Sequence, residues 1–186
     1  MTAEDTVQLG GVRFLEVPLR SFFMNNSLDC TFLTEQGNFN FRIGVIIMNE
    51  RKVLMVRNPN SEREYYYSVG GRVKLGESLT QSVVREVQEE TGIICEVDKM
   101  AAIHENFFND DDGVPFHEIS VFFTLKPNKE LLSLKNGTLT DQGPHGEYLQ
   151  WIDLDNCENV TIYPKFFKTL DLSDINEIKH FIDREE

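Results

Sequence analysis

Cysteine is scarce in this chain of 186 residues, and what there is does not pair. Cys30, Cys95 and Cys157 are odd in number, far apart and without the short spacing of a metal-binding cluster. They read as reduced thiols of a cytosolic protein rather than as a disulfide framework. Uninterrupted apolar stretches are also missing. None approaches the roughly 20 residues of a membrane span, and the acidic N-terminus has neither the basic nor the apolar region of a signal peptide. Basic charge is in deficit, with 18 Lys and Arg against 31 Asp and Glu and a net charge of −13. That balance disfavours nucleic acid polymers and anionic membranes, which need a basic face to release counterions. Repeats and low-complexity tracts are absent as well, which excludes solenoids and arrays.

What remains is the composition of one folded domain. Apolar residues make up 40% of the chain, 14 of them Phe, enough for one well-buried core at this length. A single domain over residues 28–186 is expected, preceded by an extension, residues 1–27, with no periodic logic of its own. Against the negative background one segment is basic. Residues 42–74 carry Arg42, Arg51, Lys52, Arg57, Arg63, Arg72 and Lys74 against Glu50, Glu62 and Glu64. Such a segment can face the phosphates of an anionic small molecule, with Arg42, Arg57 and Arg72 as the candidate contacts.

Residues 41–49 and 52–57 are rich in β-branched side chains and flank Glu50-Arg51, which predicts a hairpin. Tyr65 to Val69 predicts a third strand, closed by Gly70-Gly71, where the backbone is free to approach a neighbour closely. Ser78 and Gln81 have the spacing of a capping box. Leu79, Val83 and Val87 form an apolar stripe, and Gly92 stands where a left-handed residue ends a helix, so 78–91 is read as helical. Beyond it, 93–107 and 116–125 read as strands joined by a turn at 109–113, and 126–146 as a long surface loop. Residues 147–154 suggest a strand, 164–170 the first turns of a helix, and 174–183 a small amphipathic helix through Ile175, Ile178 and Ile182. Strands interrupted by one central helix point to an α/β fold, a mixed sheet covered by helices on both faces.

The central helix concentrates acids. Glu86, Glu89 and Glu90 lie within little more than one turn, where like charges destabilise a helix by roughly 0.2–0.5 kcal/mol per pair. Glu86 and Glu90 fall at the edge of the apolar stripe and Glu89 further round. A hard divalent cation such as Mg²⁺ or Mn²⁺, which prefers oxygen ligands, relieves that repulsion, and Glu86 and Glu90, one turn apart, can hold it between them.

Gly71, five residues, Glu77, seven residues, then Arg85-Glu86-Val87-Gln88-Glu89-Glu90-Thr91-Gly92-Ile93 resembles a complete Nudix box. The order of the flanking strands, Trp151 and the Pro164 segment extends the likeness over about residues 38–170. The resemblance implies a Nudix-like α/β/α sandwich and a metal shell in which the Gly70 carbonyl and Glu89 join Glu86 and Glu90. It implies that Arg85 holds a neighbouring glutamate in place, with Glu77 in a supporting position. The implied reaction is hydrolysis of the diphosphate link of a nucleoside diphosphate joined to another group. A house-cleaning pyrophosphatase for nucleoside triphosphates and a nucleotide sensor are the alternatives, and retention of every box acid speaks against the sensor. The general base stays open between Glu89 and an acid beyond the box, namely Glu118, Asp141 or Glu147. Glu147, which follows the long loop, is the first choice.

Specificity lies outside the box. Pro115 falls too far along for the proline of ADP-ribose hydrolases, and Asn109 with its acidic neighbours stands where dinucleoside polyphosphate hydrolases carry Tyr. Phe107, with Phe108 and Tyr65 to Tyr67, is a candidate for stacking a base. A homodimer is compatible with the resemblance.

Overall fold

The computed structural model describes residues 28–61, 64–110, 112–140, 146–169 and 177–185. The expected extension 1–27 and Asp141 lie outside the described residues. Among those described, two six-stranded mixed sheets share one long helix. The first sheet runs β1 (Thr31–Thr34), β2 (Gly37–Ile46), β8 (Pro115–Leu125), β7 (Val97–Asn109), β12 (Lys179–Arg184), with β6 (Gly70–Arg72) also paired to β2. The second runs β11 (Ile162–Tyr163), β5 (Tyr66–Ser68), β4 (Lys52–Arg57), β10 (Tyr148–Asp153), β9 (Thr138–Leu139), with β3 (Met48–Asn49) on β4. The helix α1 spans Leu79–Thr91.

Strand alternation builds two cores, one on either side of the sheets. On β4, Leu54 and Val56 join Val83 and Val87 of α1 in one core, while Val53 and Met55 join Phe166 and Phe167 in the other. On β8, Val121 and Phe123 enter the first and Phe122 the second. Strands buried on both faces read as continuous apolar runs, which is why β8 alternates poorly in sequence. The first core is roofed by α1. The second is closed by the 3₁₀ turns Leu154–Asn156 and Lys165–Lys168, where Phe166 stacks on Phe181 at 4.4 Å between ring centroids.

The α/β class holds, and four local expectations are revised. The hairpin is confined to β3 and β4, closed at Glu50 with φ 55°, because most of 41–46 pairs instead with β8 in the other sheet. Residues 93–96 precede β7 rather than forming its start. The loop 126–146 contains a short helix α2 (Lys129–Leu132), capped by Asn128, as well as β9. The expected 174–183 helix is replaced, over the described residues, by β12, parallel to β7. The helical spacing of the isoleucines misled there. Ile178 and Ile182 are exposed, and it is Phe181 that packs inward, so burial follows period two.

Phe167 is fully buried between Phe166 and Phe122, with ring centroids 4.8 and 5.8 Å away. Phe167→Ala should cost about 3–5 kcal/mol in the free energy of unfolding, measured by denaturant titration.

Candidate active site

The site begins with the way α1 is anchored. The Ser78 hydroxyl accepts from the Gln81 amide at 3.2 Å, the Gln81 side chain accepts from the Ser78 amide at 2.8 Å, and Gly92 ends the helix at φ 74°. Val83 and Val87 then fix its rotation against the first core, which turns Glu86 and Glu90 toward β6. Gly70 pairs with Gly44 across β6 and β2 at φ 142°, and a Cβ there would meet the Ile43 carbonyl oxygen at 2.3 Å. A Cβ on Gly71 would instead meet both carboxylate oxygens of Glu86, at 2.4 and 2.5 Å. The two glycines therefore do different things. Gly70 lets two strands close, and Gly71 leaves room for the Glu86 carboxylate.

Arg85 is the centre of the polar arrangement. Its Nε and Nη2 donate to the two oxygens of Glu77 at 2.8 and 2.9 Å, and Nη1 donates to Glu86 and, at 2.9 Å, to Glu89. Nη2 also donates to the Arg72 carbonyl at 3.0 Å, which ties the helix to β6. Glu77 accepts in addition from Ser82 Oγ at 2.8 Å, and these donors, Arg85 first, hold its carboxyl down at about 2. Glu86 is shifted the other way, because burial outweighs its bond to Arg85. The carboxyl end of Glu90 lies deep among protein atoms although part of the residue meets solvent. Burial pushes it up to about 8 against a hydrogen bond from the Gly70 amide at 3.1 Å.

Three glutamates converging with one guanidinium between them make an all-oxygen donor set suited to a hard cation. Among the described residues no three such side chains already stand in ligating geometry, since Arg85 holds Glu86 and Glu89. The residues fit a divalent cation nonetheless. A carboxyl as enclosed as Glu90 with one backbone donor is left short of positive charge, and Gly71 keeps a space in front of Glu86 clear. Gly70, expected to offer its carbonyl, is seen here through its amide.

The other candidate residues are distributed unequally. Arg42 belongs with the acids, since its charge acts on both Glu86 and Glu90 and opposes their upward shift. Glu147 is also brought in. It raises Glu90 further by its own charge, accepts a hydrogen bond from the Tyr67 hydroxyl and another from Asn58 Nδ2 at 3.3 Å. Arg57 is buried on β4 and donates to the Asn58 carbonyl, next to that pair. Arg72 contributes its carbonyl while its guanidinium pairs with Asp29 at 3.5 Å. Phe107 is not brought to the acids. It stacks on His117 at 4.4 Å beneath the Arg184 guanidinium, in a separate aromatic recess of about 510 Å³ with Phe32 and Phe39. The grip of Tyr67 and Asn58 on Glu147 went unforeseen. The partners are some 80 to 90 residues apart in sequence, and no local pattern marks such a pair.

A helix bearing clustered carboxylates, set against a glycine pair at the edge of a mixed sheet, defines a site of the kind that binds divalent cations and phosphates. The model of the NUDIX domain matches residues 39–170, and the chain belongs to the Nudix family. An uncharacterised Nudix hydrolase of Bacillus subtilis is 26% identical over 119 residues, 64% of this chain and 69% of that protein. The ADP-ribose pyrophosphatase of Methanocaldococcus jannaschii is 33% identical over 81 residues, 43% of this chain and 46% of that protein. Among solved structures, the MutT protein of Bacillus halodurans aligns with a TM-score of 0.54 at 18% identity, covering 78% of this chain and 90% of that one, a likeness of fold. Nudix hydrolases generally employ divalent metal ions.

Two outcomes follow from this geometry. Gly70→Ala should destabilise strongly, as backbone cannot yield, whereas Gly71→Ala should fold and lose affinity for Mg²⁺. Thermal melts and calorimetric Mg²⁺ titration of the pair check this. The second concerns pH. A carboxyl raised in the folded state favours folding below its unfolded value near 4.5, and that contribution is lost as pH climbs through about 8. A cation needs Glu90 ionised, so the rise in melting temperature produced by Mg²⁺ should be larger at pH 8 than at pH 6.

Proposed function

We propose that the chain is a pyrophosphohydrolase that cleaves the diphosphate link of a nucleoside diphosphate joined to another moiety, in a Mg²⁺- or Mn²⁺-dependent reaction. The observation that carries this reading is the grouping of Glu86 and Glu89 on Arg85, with Glu90 on the Gly70 amide, beside the Gly70-Gly71 pair. Glu86, Glu89 and Glu90, with the Gly70 carbonyl, would hold the cation. When bound, it neutralises charge building on the phosphate oxygens and lowers the pKa of water.

The protein groups divide the remaining work. Arg42 meets the phosphates from the β2 side, close enough to act on the same acids. Arg85 keeps Glu89 and Glu86 at fixed positions through a planar fork that Lys cannot reproduce. Glu147 is the candidate to take the proton of the attacking water. Its carboxylate is oriented by Tyr67 and Asn58 and faces Glu90. Substitution at phosphorus then relies on positioning and charge, with no covalent intermediate on the enzyme.

The wider reading is a single catalytic domain over 28–186 acting on a small nucleotide in the cytosol, with homodimerisation as an available assembly. No described helix is long and apolar enough to cross a membrane.

The test is turnover of a panel comprising nucleotide sugars, ADP-ribose, dinucleoside polyphosphates, NAD(H), coenzyme A and nucleoside triphosphates with Mg²⁺ or Mn²⁺. At least one diphosphate derivative should be hydrolysed, and Glu89→Gln should lower its kcat about 100-fold or more. Turnover by Glu89→Gln within a few fold of wild type, or nucleotide binding without any hydrolysis, refutes the proposal.

A further inference from the structure

The face of the first sheet that runs away from the acidic helix changes character abruptly. Over Gly44, opposite Gly70, the Phe122 ring fills the place of a side chain and ends the second core. Two residues further along the same face of β2 stands Arg42, and two beyond it Asn40, opposite Ser120 and Glu118 of β8. Asn40 and Ser120 are buried, yet the Glu118 and Arg42 side chains keep 17% and 30% of their surface open. An apolar floor thus gives way to a polar one at Arg42, whose charge also acts on Glu86 and Glu90.

Glu118 is oriented from below and left partly unsatisfied. Thr31 Oγ1 donates to Asn40 Oδ1 at 2.7 Å, which turns the Asn40 amide so that Nδ2 reaches Glu118 Oε2 at 3.4 Å. Ser120 Oγ lies 3.3 Å from Oε1, and Arg42 Nε 3.7 Å from Oε2. All three contacts are long for a carboxylate that can accept about four hydrogen bonds. A carboxylate with acceptor capacity to spare, beside the phosphate-facing arginine, suits a neutral donor rather than another phosphate oxygen. It sits about 13 Å along the strand from the Gly70 register, and Arg42 about 7 Å. In a nucleoside diphosphate the donors that follow the phosphates are the hydroxyls of the sugar.

We infer that Glu118, fixed by Asn40 and Ser120, binds the ribose hydroxyls of the nucleotide and makes the site selective for ribonucleotides over 2′-deoxyribonucleotides. The inference rests on the acidic helix being the phosphate-processing site, and its test is therefore made on binding rather than on turnover. The probes are α,β-methylene-ADP and its 2′-deoxy counterpart, titrated calorimetrically with Mg²⁺ present. The ribose form should bind wild-type protein about tenfold or more tightly, since a hydroxyl donating to a half-buried carboxylate is a strong interaction.

Glu118→Gln, of the same shape but with a neutral acceptor, should weaken the ribose form and remove most of the preference. Ser120→Ala, which removes one of the donors that fix Glu118, should lower the preference in part and serves as the second variant if the first is unstable. Equal affinities in the wild type or a preference that survives Glu118→Gln would each overturn the inference. So would failure of both probes to bind. The turnover panel reports separately on hydrolysis, so a protein that prefers ribose yet hydrolyses nothing would overturn the hydrolase reading and leave this one standing.

Discussion

One guanidinium shared by three carboxylates is the constraint on which the rest of the site depends. Arg85 meets Glu77, Glu86 and Glu89 at once, and Glu90 stands beside them on the Gly70 amide. Unit charges about 4 Å apart interact by roughly 4 kcal/mol at an effective dielectric of 20, so such a cluster holds together only while attraction and repulsion are arranged in detail. The arrangement here is uneven. Glu77 receives the strongest donors and falls to about 2, while Glu90 receives the weakest set in the most enclosed place and rises to about 8. The unevenness separates an acid well met by donors from one that is not. Glu77 closes the loop onto the helix, and the others remain short of positive charge.

The fold supplies the rigidity that this requires. Val83 and Val87 set the rotation of α1, and the close approach of Gly70 to Gly44 sets the depth of β6 beneath it. Both are needed because an arginine fork tolerates little displacement before one of its bonds is lost.

What was legible in the sequence was local. The capping box at Ser78, the stripe through Val83 and Val87, the stop at Gly92 and the acids between them all lie within one helix, where spacing alone decides the face each residue occupies. Contacts between distant strands were not legible. Glu147 meets Tyr67 and Asn58 only because β10 and β5 flank β4, and Glu118 meets Asn40 only because β2 pairs with β8 in parallel. The expected helix near the C-terminus failed for a related reason. Helix-spaced isoleucines are a local signal, but the segment is an edge strand whose Phe181 finds Phe166 across the second core. Phe107 illustrates the same limit, an aromatic at a plausible distance from the box that the register carries into a different recess.

This division has a physical basis. Chemistry at a phosphate needs several like charges within a few ångströms, and a single helix is the most economical way to hold them at fixed spacing. Recognition of what the phosphate is attached to needs groups placed farther off, at distances a helix turn cannot span but a sheet register can. In the reading proposed for this chain the first task falls to residues 70–90 and the second to strands drawn from both sides of that segment. Two chains with the same acidic helix are therefore free to differ at Arg42, Glu118 or Glu147 without disturbing the helix. The family of the chain can be read from one short run of residues, whereas its substrate depends on pairings between strands that lie far apart in the sequence.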